Sequence, residues 1–284
     1  MTAKIEILYF TDPFCSWCWA TEAPLFRLRE VYRDQLQVKY VMGGLVEDMT
    51  KFYDASNDIR GTAQVAPHWR MVSERSGQPI DERLMEDITD PHWSTWPACI
   101  AVKAAELQGT KVGDKYLRRL RRAALTERLN VSVREVQLRL AETVAGLDVS
   151  RLTVDMDRDE TRQAFSADLK LGREYGATGF PTLLFRRVSA SEASPEEPEG
   201  ILVGGHRSYQ TYVQVLNRVV PGLEQASPRP VPQLLATYGP LTTRELAEVT
   251  GTKANDLRAD LTAAANEGHL KRIEVRQGEF WDLA

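Results

Sequence analysis

The sequence predicts an α/β protein with a long helical insertion, followed by a small α+β domain. Three observations carry that prediction. Residues 4–44 read strand, helix, strand. Residues 47–172 show helical periodicity and little strand signal before two more strands. A proline-rich stretch at 227–232 then precedes a pattern of its own.

The first strand is the apolar run Ile5, Ile7, Leu8, Tyr9 and Phe10, ended by Asp12-Pro13. From Cys15 onward, Trp19, Ala23, Phe26, Leu28, Val31 and Tyr32 recur at helical spacing, with a kink expected at Pro24. Residues 37–42 alternate as a second strand and stop at Gly43-Gly44. In the middle section, helical periodicity appears at 98–107, 113–125, 133–144 and 159–175. Residues 181–185 and 201–203 read as further strands, and Ser, Pro and Glu over 189–199 mark a solvated loop between them. A helix over 209–219 completes a first domain, placed at 1–225 with its insertion at about 47–172.

Residues 227–232 hold three prolines, the composition of a linker. Beyond them come a short helix at 234–238, a helix at 245–249 capped by Thr242 or Thr243, a turn at Gly251 and a longer helix at 253–267. Residues 270–275 and 279–283 flank Gln277-Gly278 as a hairpin. Helix, helix-turn-helix, hairpin is the winged-helix order, placed at 228–284. Its charge argues against a nucleic-acid partner, because seven Lys/Arg face eight Asp/Glu and phosphate binding needs clustered positive charge.

The bulk numbers agree with a soluble globular chain: 284 residues, 43% hydrophobic, 27% charged and a formal net charge of −4. No run approaches the roughly 20 apolar residues of a membrane span, so no membrane partner is expected. The start resembles a strand rather than a secretory leader. With three cysteines and no export signal, the expectation is a cytoplasmic protein whose thiols are reduced at rest.

Two of those cysteines lie in Thr11-Asp12-Pro13-Phe14-Cys15-Ser16-Trp17-Cys18-Trp19. They could form a structural staple, half of a metal site or a redox dithiol. Zinc needs about four ligands, and Cys99, His68, His92, His206 and His269 form no second pair at metal spacing. No metal is therefore expected. Thiol chemistry runs through the thiolate, and a helix N-terminus favours that anion through its unpaired N–H groups and macrodipole. Each tenfold gain in thiolate corresponds to about 1.4 kcal/mol. Cys15, at the helix start, reads as the attacking thiol, and Cys18, one turn inward, as the resolving one. Trp17 and Trp19 are expected to give the site an apolar face for substrate.

A second signal lies at Thr178-Gly179-Phe180-Pro181-Thr182. Redox folds place a cis-proline loop facing the dithiol just ahead of such a strand. Pro181 is therefore expected to be cis although only about 5–6% of X-Pro bonds are. Phe180 and Thr182 then flank it as substrate-binding residues, with the Phe180 backbone free to pair with an extended chain.

With CSWC at a helix start, a helical insertion and then TGFPT, residues 4–222 resemble the thioredoxin fold in its DsbA-like form. TDPFCSWCW is similar to the FrnE branch of that family. The resemblance implies a thiol–disulfide oxidoreductase with Cys15, Cys18 and Pro181 in the family's roles. It also implies protein or small-thiol substrates and no cofactor beyond the Cys15–Cys18 disulfide. Ser16-Trp17 replaces the Pro-His of periplasmic oxidases, so no strongly oxidising poise is implied. A longer resemblance rests on Ala101-Val-Lys-Ala-Ala-Glu-Leu-Gln-Gly-Thr110, the helix at 115–125 and the terminal stretch 275–281. These are similar to adapter proteins that deliver the transcription factor Spx to the ClpXP protease. That resemblance implies an alternative function, binding an Spx-like regulator for ClpXP.

The remaining candidates each carry two readings. Asp12 is a proton shuttle for Cys18 or an Asx-Pro turn. Cys99 is a small core residue or a redox partner. Arg118, Arg119, Arg121 and Arg122 form a solvated helix face or a surface for an acidic partner.

Overall fold

The computed structural model describes residues 4–55, 57–188 and 200–284; the solvated loop expected at 189–199 lies outside them. The chain opens with β1 (Ile5–Thr11), α1 (Ser16–Tyr32) and β2 (Leu36–Met42). Seven helices follow: α2 (Thr62–Ser76), α3 (Leu84–Asp87), α4 (Trp96–Glu106), α5 (Thr110–Thr126), α6 (Arg134–Ala141), α7 (Val149–Asp155) and α8 (Asp159–Glu174). Then come β3 (Thr182–Arg187), β4 (Ile201–Gly204) and α9 (Tyr209–Val219). The sheet order is β2-β1-β3-β4, with β1 parallel to β2 and antiparallel to β3.

Every residue of β1 is buried because both sheet faces are covered, which is why it reads as a continuous apolar run. On one face Ile5, Ile7 and Tyr9 pack with Leu25, Leu28 and Tyr32 of α1 and with Tyr212 and Leu216 of α9. On the other, Leu8, Phe10, Val41 and Leu184 meet Leu171 of α8 and Tyr175. Helix α8, expected within the insertion, thus covers the sheet. Helices α2, α3 and α7 lie outside the stretches whose periodicity predicts helix. In α2 the buried residues Ala66, Trp69, Val72 and Ser73 form a thin stripe, and Pro67 sits inside the helix.

The C-terminal elements are α10 (Val231–Tyr238), β5 (Leu241–Thr242), α11 (Thr243–Thr250), α12 (Ala254–Asn266), β6 (Leu270–Val275) and β7 (Gly278–Leu283). Their sheet order is β5-β7-β6. Thr242 caps α11 in a capping box with Glu245. The β6–β7 turn, where a wing would project, is packed instead against the insertion. The Ser73 hydroxyl donates to Gln277 Oε1 at 2.8 Å, Arg276 lies 3.3 Å from Glu82, and Gly278 abuts Pro79. Phe280 joins the same buried cluster as Trp19 and the α4–α5 residues Val102, Leu117 and Leu120. The core of the insertion therefore extends into the C-terminal hairpin.

A charged network sits at that junction. Arg121 is completely buried and pairs with Glu22 of α1, while its Nη2 donates to Thr11 Oγ1 at 2.6 Å. Arg118 reaches Glu22 at 2.6 Å and forks onto both Glu245 oxygens at 2.8 Å. Arg119 and Arg122 each pair with Glu127 at 2.9 Å. The expectation that 118–122 form an open basic face is therefore corrected. Residues 118 and 121 are three apart on one helix face, and that face looks onto α1 and α11, whose carboxylates the local sequence does not show.

Burial alone would raise the Glu22 pKa, but Arg118 and Arg121 outweigh it and hold the carboxyl below its ordinary value of 4.5. Replacing Glu22→Gln leaves buried guanidinium charge uncompensated and is expected to cost about 3–5 kcal/mol in urea unfolding. The sign with pH follows from a depressed folded pKa. The stabilisation is complete above the unfolded value and is lost as pH falls through the folded one. Acid titration of the variant should lack that component, and an unchanged urea midpoint would show the network to be neutral.

Candidate dithiol site

Cys15 is the N-cap of α1, with extended backbone angles of φ −73° and ψ 109°. Its Sγ accepts the Cys18 N–H at 3.1 Å, and its own N–H donates to the Asp12 carbonyl at 3.2 Å. The two cysteines form a disulfide with Cα atoms 5.1 Å apart, inside the usual span. Once the pair is reduced, free N–H groups of the first turn and the helix dipole favour a thiolate at Cys15. Cys18 is wholly buried, and its carbonyl accepts the Tyr9 hydroxyl at 3.0 Å.

Cys15 and Trp17 line a groove of about 720 Å³. One wall carries Phe14, Met49, Trp69 and Trp93; the other is Gly179, Phe180 and Leu202. The Phe180–Pro181 peptide is cis. Its loop is closed by Gly205 N–H donating to the Pro181 carbonyl at 2.7 Å and by the Thr182 hydroxyl donating to Gly179 O at 2.6 Å. Thr182 is buried and commits its hydroxyl to this loop. The Phe180 ring lies over Gly43, where an added Cβ would fall 2.1 Å from its Cζ.

Trp17 is half-buried and stacks on His206, with ring centroids 5.7 Å apart and planes at 20°. His206 Nδ1 lies 3.0 Å from Thr21 Oγ1. Burial, then the nearby Arg244 charge, push the His206 pKa down, so the ring is neutral at pH 7. No role for His206 is legible in the sequence, since its partner is a stacked indole 189 positions away. The aromatic wall from Phe14, Trp69 and Trp93 was missed for a similar reason: three separate segments supply it.

Trp19 does not line the groove. It is fully buried, its Nε1 donates to the Pro79 carbonyl at 3.0 Å, and the Arg118 guanidinium lies 4.3 Å from its ring centre. The expected substrate role is replaced by packing between α1, α5 and β7.

Asp12 is fully buried. Its carboxylate accepts from Phe14 N–H at 2.9 Å, Leu45 N–H at 2.8 Å, the Thr95 hydroxyl at 2.7 Å and the Cys99 thiol at 3.3 Å. Burial raises its pKa and these hydrogen bonds oppose the rise. The Phe14 bond is the Asx turn foreseen at Asp12-Pro13. The others tie β1 to the loop after β2 and to α4, so the carboxylate points toward α4. Cys99, buried in α4, has its thiol pKa pushed up by burial and by Asp12. It is a core residue. Among the described residues, no cluster of His, Cys, Asp and Glu is arranged to hold a metal ion, and no helix is long and apolar enough to cross a membrane.

A family model described as thioredoxin matches residues 8–214. The ClpXP adapter protein SpxH of Halalkalibacterium halodurans is 28% identical over 279 residues, covering 98% of this chain and 88% of its own. SpxH of Bacillus subtilis is 26% identical over 278 residues with the same coverage. Among solved structures, a Nitrosomonas europaea protein assigned as a protein disulfide isomerase matches with TM-score 0.60 and 26% identity. The match covers 75% of this chain and 96% of that one. The cytosolic disulfide reductase DsbM of Pseudomonas aeruginosa matches with TM-score 0.53 and 21% identity over 75% and 93% of the two chains, a likeness of fold.

The contact of Phe180 with Gly43 yields a sharp expectation. A methyl group in Gly43→Ala has no room unless the Phe180 ring shifts. Overpacking of this kind costs roughly 1–3 kcal/mol. Urea unfolding should register that loss, and wild-type stability would mean the ring yields freely.

Proposed function

Because this chain belongs to the thioredoxin family, we propose that Cys15 and Cys18 carry out thiol–disulfide exchange on protein or small-thiol substrates. The observation that carries the reading is Cys15 at the N-terminus of α1, opening onto an apolar groove walled by the cis Phe180–Pro181 loop.

In the reducing direction, the Cys15 thiolate attacks one sulfur of a substrate disulfide. The second substrate sulfur leaves with the electron pair of the broken bond and takes up a proton. Cys18, deprotonated, then attacks Cys15 Sγ, which releases the first substrate sulfur as a thiolate and forms the Cys15–Cys18 disulfide. Two electrons pass from the dithiol to the substrate, and the oxidising direction is the reverse. Trp17 and Phe180 supply apolar contact to the substrate, and the Phe180 backbone supplies pairing to an extended segment. Asp12 serves this site by holding Phe14 and Leu45 around the dithiol loop. A cytoplasmic location suits a pair that cycles through its reduced form.

A second reading is favoured by the SpxH relatives, whose similarity runs over 98% of the chain, C-terminal elements included. On that reading the protein holds an Spx-like regulator and delivers it to ClpXP.

The two readings separate by mutation. As an oxidoreductase, the Cys18→Ser variant accumulates mixed disulfides through Cys15, visible as a mass increase reversed by dithiothreitol, and Cys15→Ser abolishes exchange. As an adapter, the protein with both serines still accelerates ClpXP degradation of an Spx-like client. Failure of Cys18→Ser to trap any thiol partner would remove the exchange reading.

A further inference from the structure

A second cavity, about 440 Å³, lies on the far side of His206 from Trp17, between α1, the loop before α9 and α11. It is lined by three arginines from three separate segments: Arg27 of α1, Arg207 of the loop and Arg244 of α11. One carboxylate faces them. Glu248 is shared by Arg27 at 3.4 Å and Arg244 at 2.8 Å, which leaves two positive charges unbalanced. His206 adds none, since burial keeps it neutral. Among the described residues Arg207 makes no ion pair; its guanidinium donates only to the His206 carbonyl, at 3.2 Å. The buried Nε of Arg27 has no hydrogen-bond partner. Tyr209 and Gln210, at the start of the eleven-residue α9, also line the cavity, and N–H groups at that position have no acceptor within the helix.

Concentrated like charge in a cavity is unfavourable unless something balances it. Three separate segments bring forked guanidinium donors to one cavity, which suits a tetrahedral oxyanion with three free oxygens better than a planar carboxylate with two. The excess of two positive charges matches a dianion. The space exceeds that of a lone phosphate ion. We propose that this cavity is a binding site for the phosphoryl group of a small phosphorylated molecule, seated where α1, the α9 start and α11 meet. The site is distinct from the dithiol groove and shares one wall with it, His206 against Trp17.

The test uses the full chain in its disulfide form, titrated calorimetrically with inorganic phosphate and with pyrophosphate, and with succinate at matched ionic strength. Saturable binding of phosphate or pyrophosphate, absent with succinate, is the expected result. Arg207 is exposed and outside any ion pair, so Arg207→Ala leaves the fold intact. It should weaken phosphate binding by about tenfold or more, as loss of a charged hydrogen bond implies. Arg207→Lys, which keeps charge and loses the fork, should fall between the two. Equal binding of succinate, absence of saturable heat with either phosphate probe, or unaltered affinity in Arg207→Ala would each overturn the proposal. All three readouts are independent of whether Cys15 and Cys18 exchange thiols.

Discussion

Two guanidinium groups, Arg118 and Arg121, are withdrawn from water on one face of α5, and the arrangement of the molecule follows from how their charge is met. The matching carboxylates come from Glu22 in the middle of α1 and Glu245 in the first turn of α11. A buried ion pair is tolerable only when geometry is close and the remaining donors are satisfied. Here the fork of Arg118 on Glu245, the Thr11 hydroxyl against Arg121 and the Gln78 amide on Glu245 at 3.0 Å supply most of those partners, and among the described residues the buried Arg121 Nε alone of this set is left without one. The consequence is geometric. Helix α1 is fixed in rotation and depth against both α5 and the C-terminal elements, and α1 carries the dithiol at its N-terminus.

The dithiol end is held by a separate set of constraints. Asp12 gathers the β1 end, the loop after β2 and α4 around one carboxylate, while Gly43 leaves room for the Phe180 ring. The strand β1, whose C-terminal end meets both anchor points, is buried on both faces and has no freedom to shift register without turning Leu8 and Phe10 into the α1 layer. Chemistry at Cys15 thus rests on elements that are distant in sequence and joined by few, highly specific contacts.

How much of this could be read beforehand depended on whether the information was local. The first β-α-β unit, the helix start at Cys15 and the hairpin about Gln277-Gly278 announce themselves within a few residues, through periodicity and turn chemistry, and the cis proline through the likeness of residues 178–182 to the loop of redox folds. The fate of Arg118 and Arg121 does not. A basic stretch on a helix looks solvated until the carboxylates that meet it, 96 and 127 positions away for Arg118, are in place. Trp19 failed for the same reason, since its neighbours Pro79 and Phe280 are contributed by other segments. Asp12 offered a choice between a turn and a proton carrier, and only its contacts with Leu45, Thr95 and Cys99 decide how it is oriented. Helix α2 was lost because its apolar stripe is thin and a proline interrupts the pattern.

The hairpin packed on the insertion has a bearing on modularity. A winged-helix unit joined by a proline-rich stretch suggests a bead on a string, added or removed without consequence to its neighbour. In this chain Phe280 sits in the core of the insertion, Phe26 of α1 is packed by Leu234 and Tyr238, and Arg118 divides its charge between the two parts. A chain that ended before α10 would expose Phe26 and part of the Trp19 surround and would leave Arg118 with one carboxylate in place of two. The C-terminal segment is therefore a structural half of the dithiol helix's own environment. A shorter protein of this architecture would leave the side chains at positions 19, 26 and 118 without these partners.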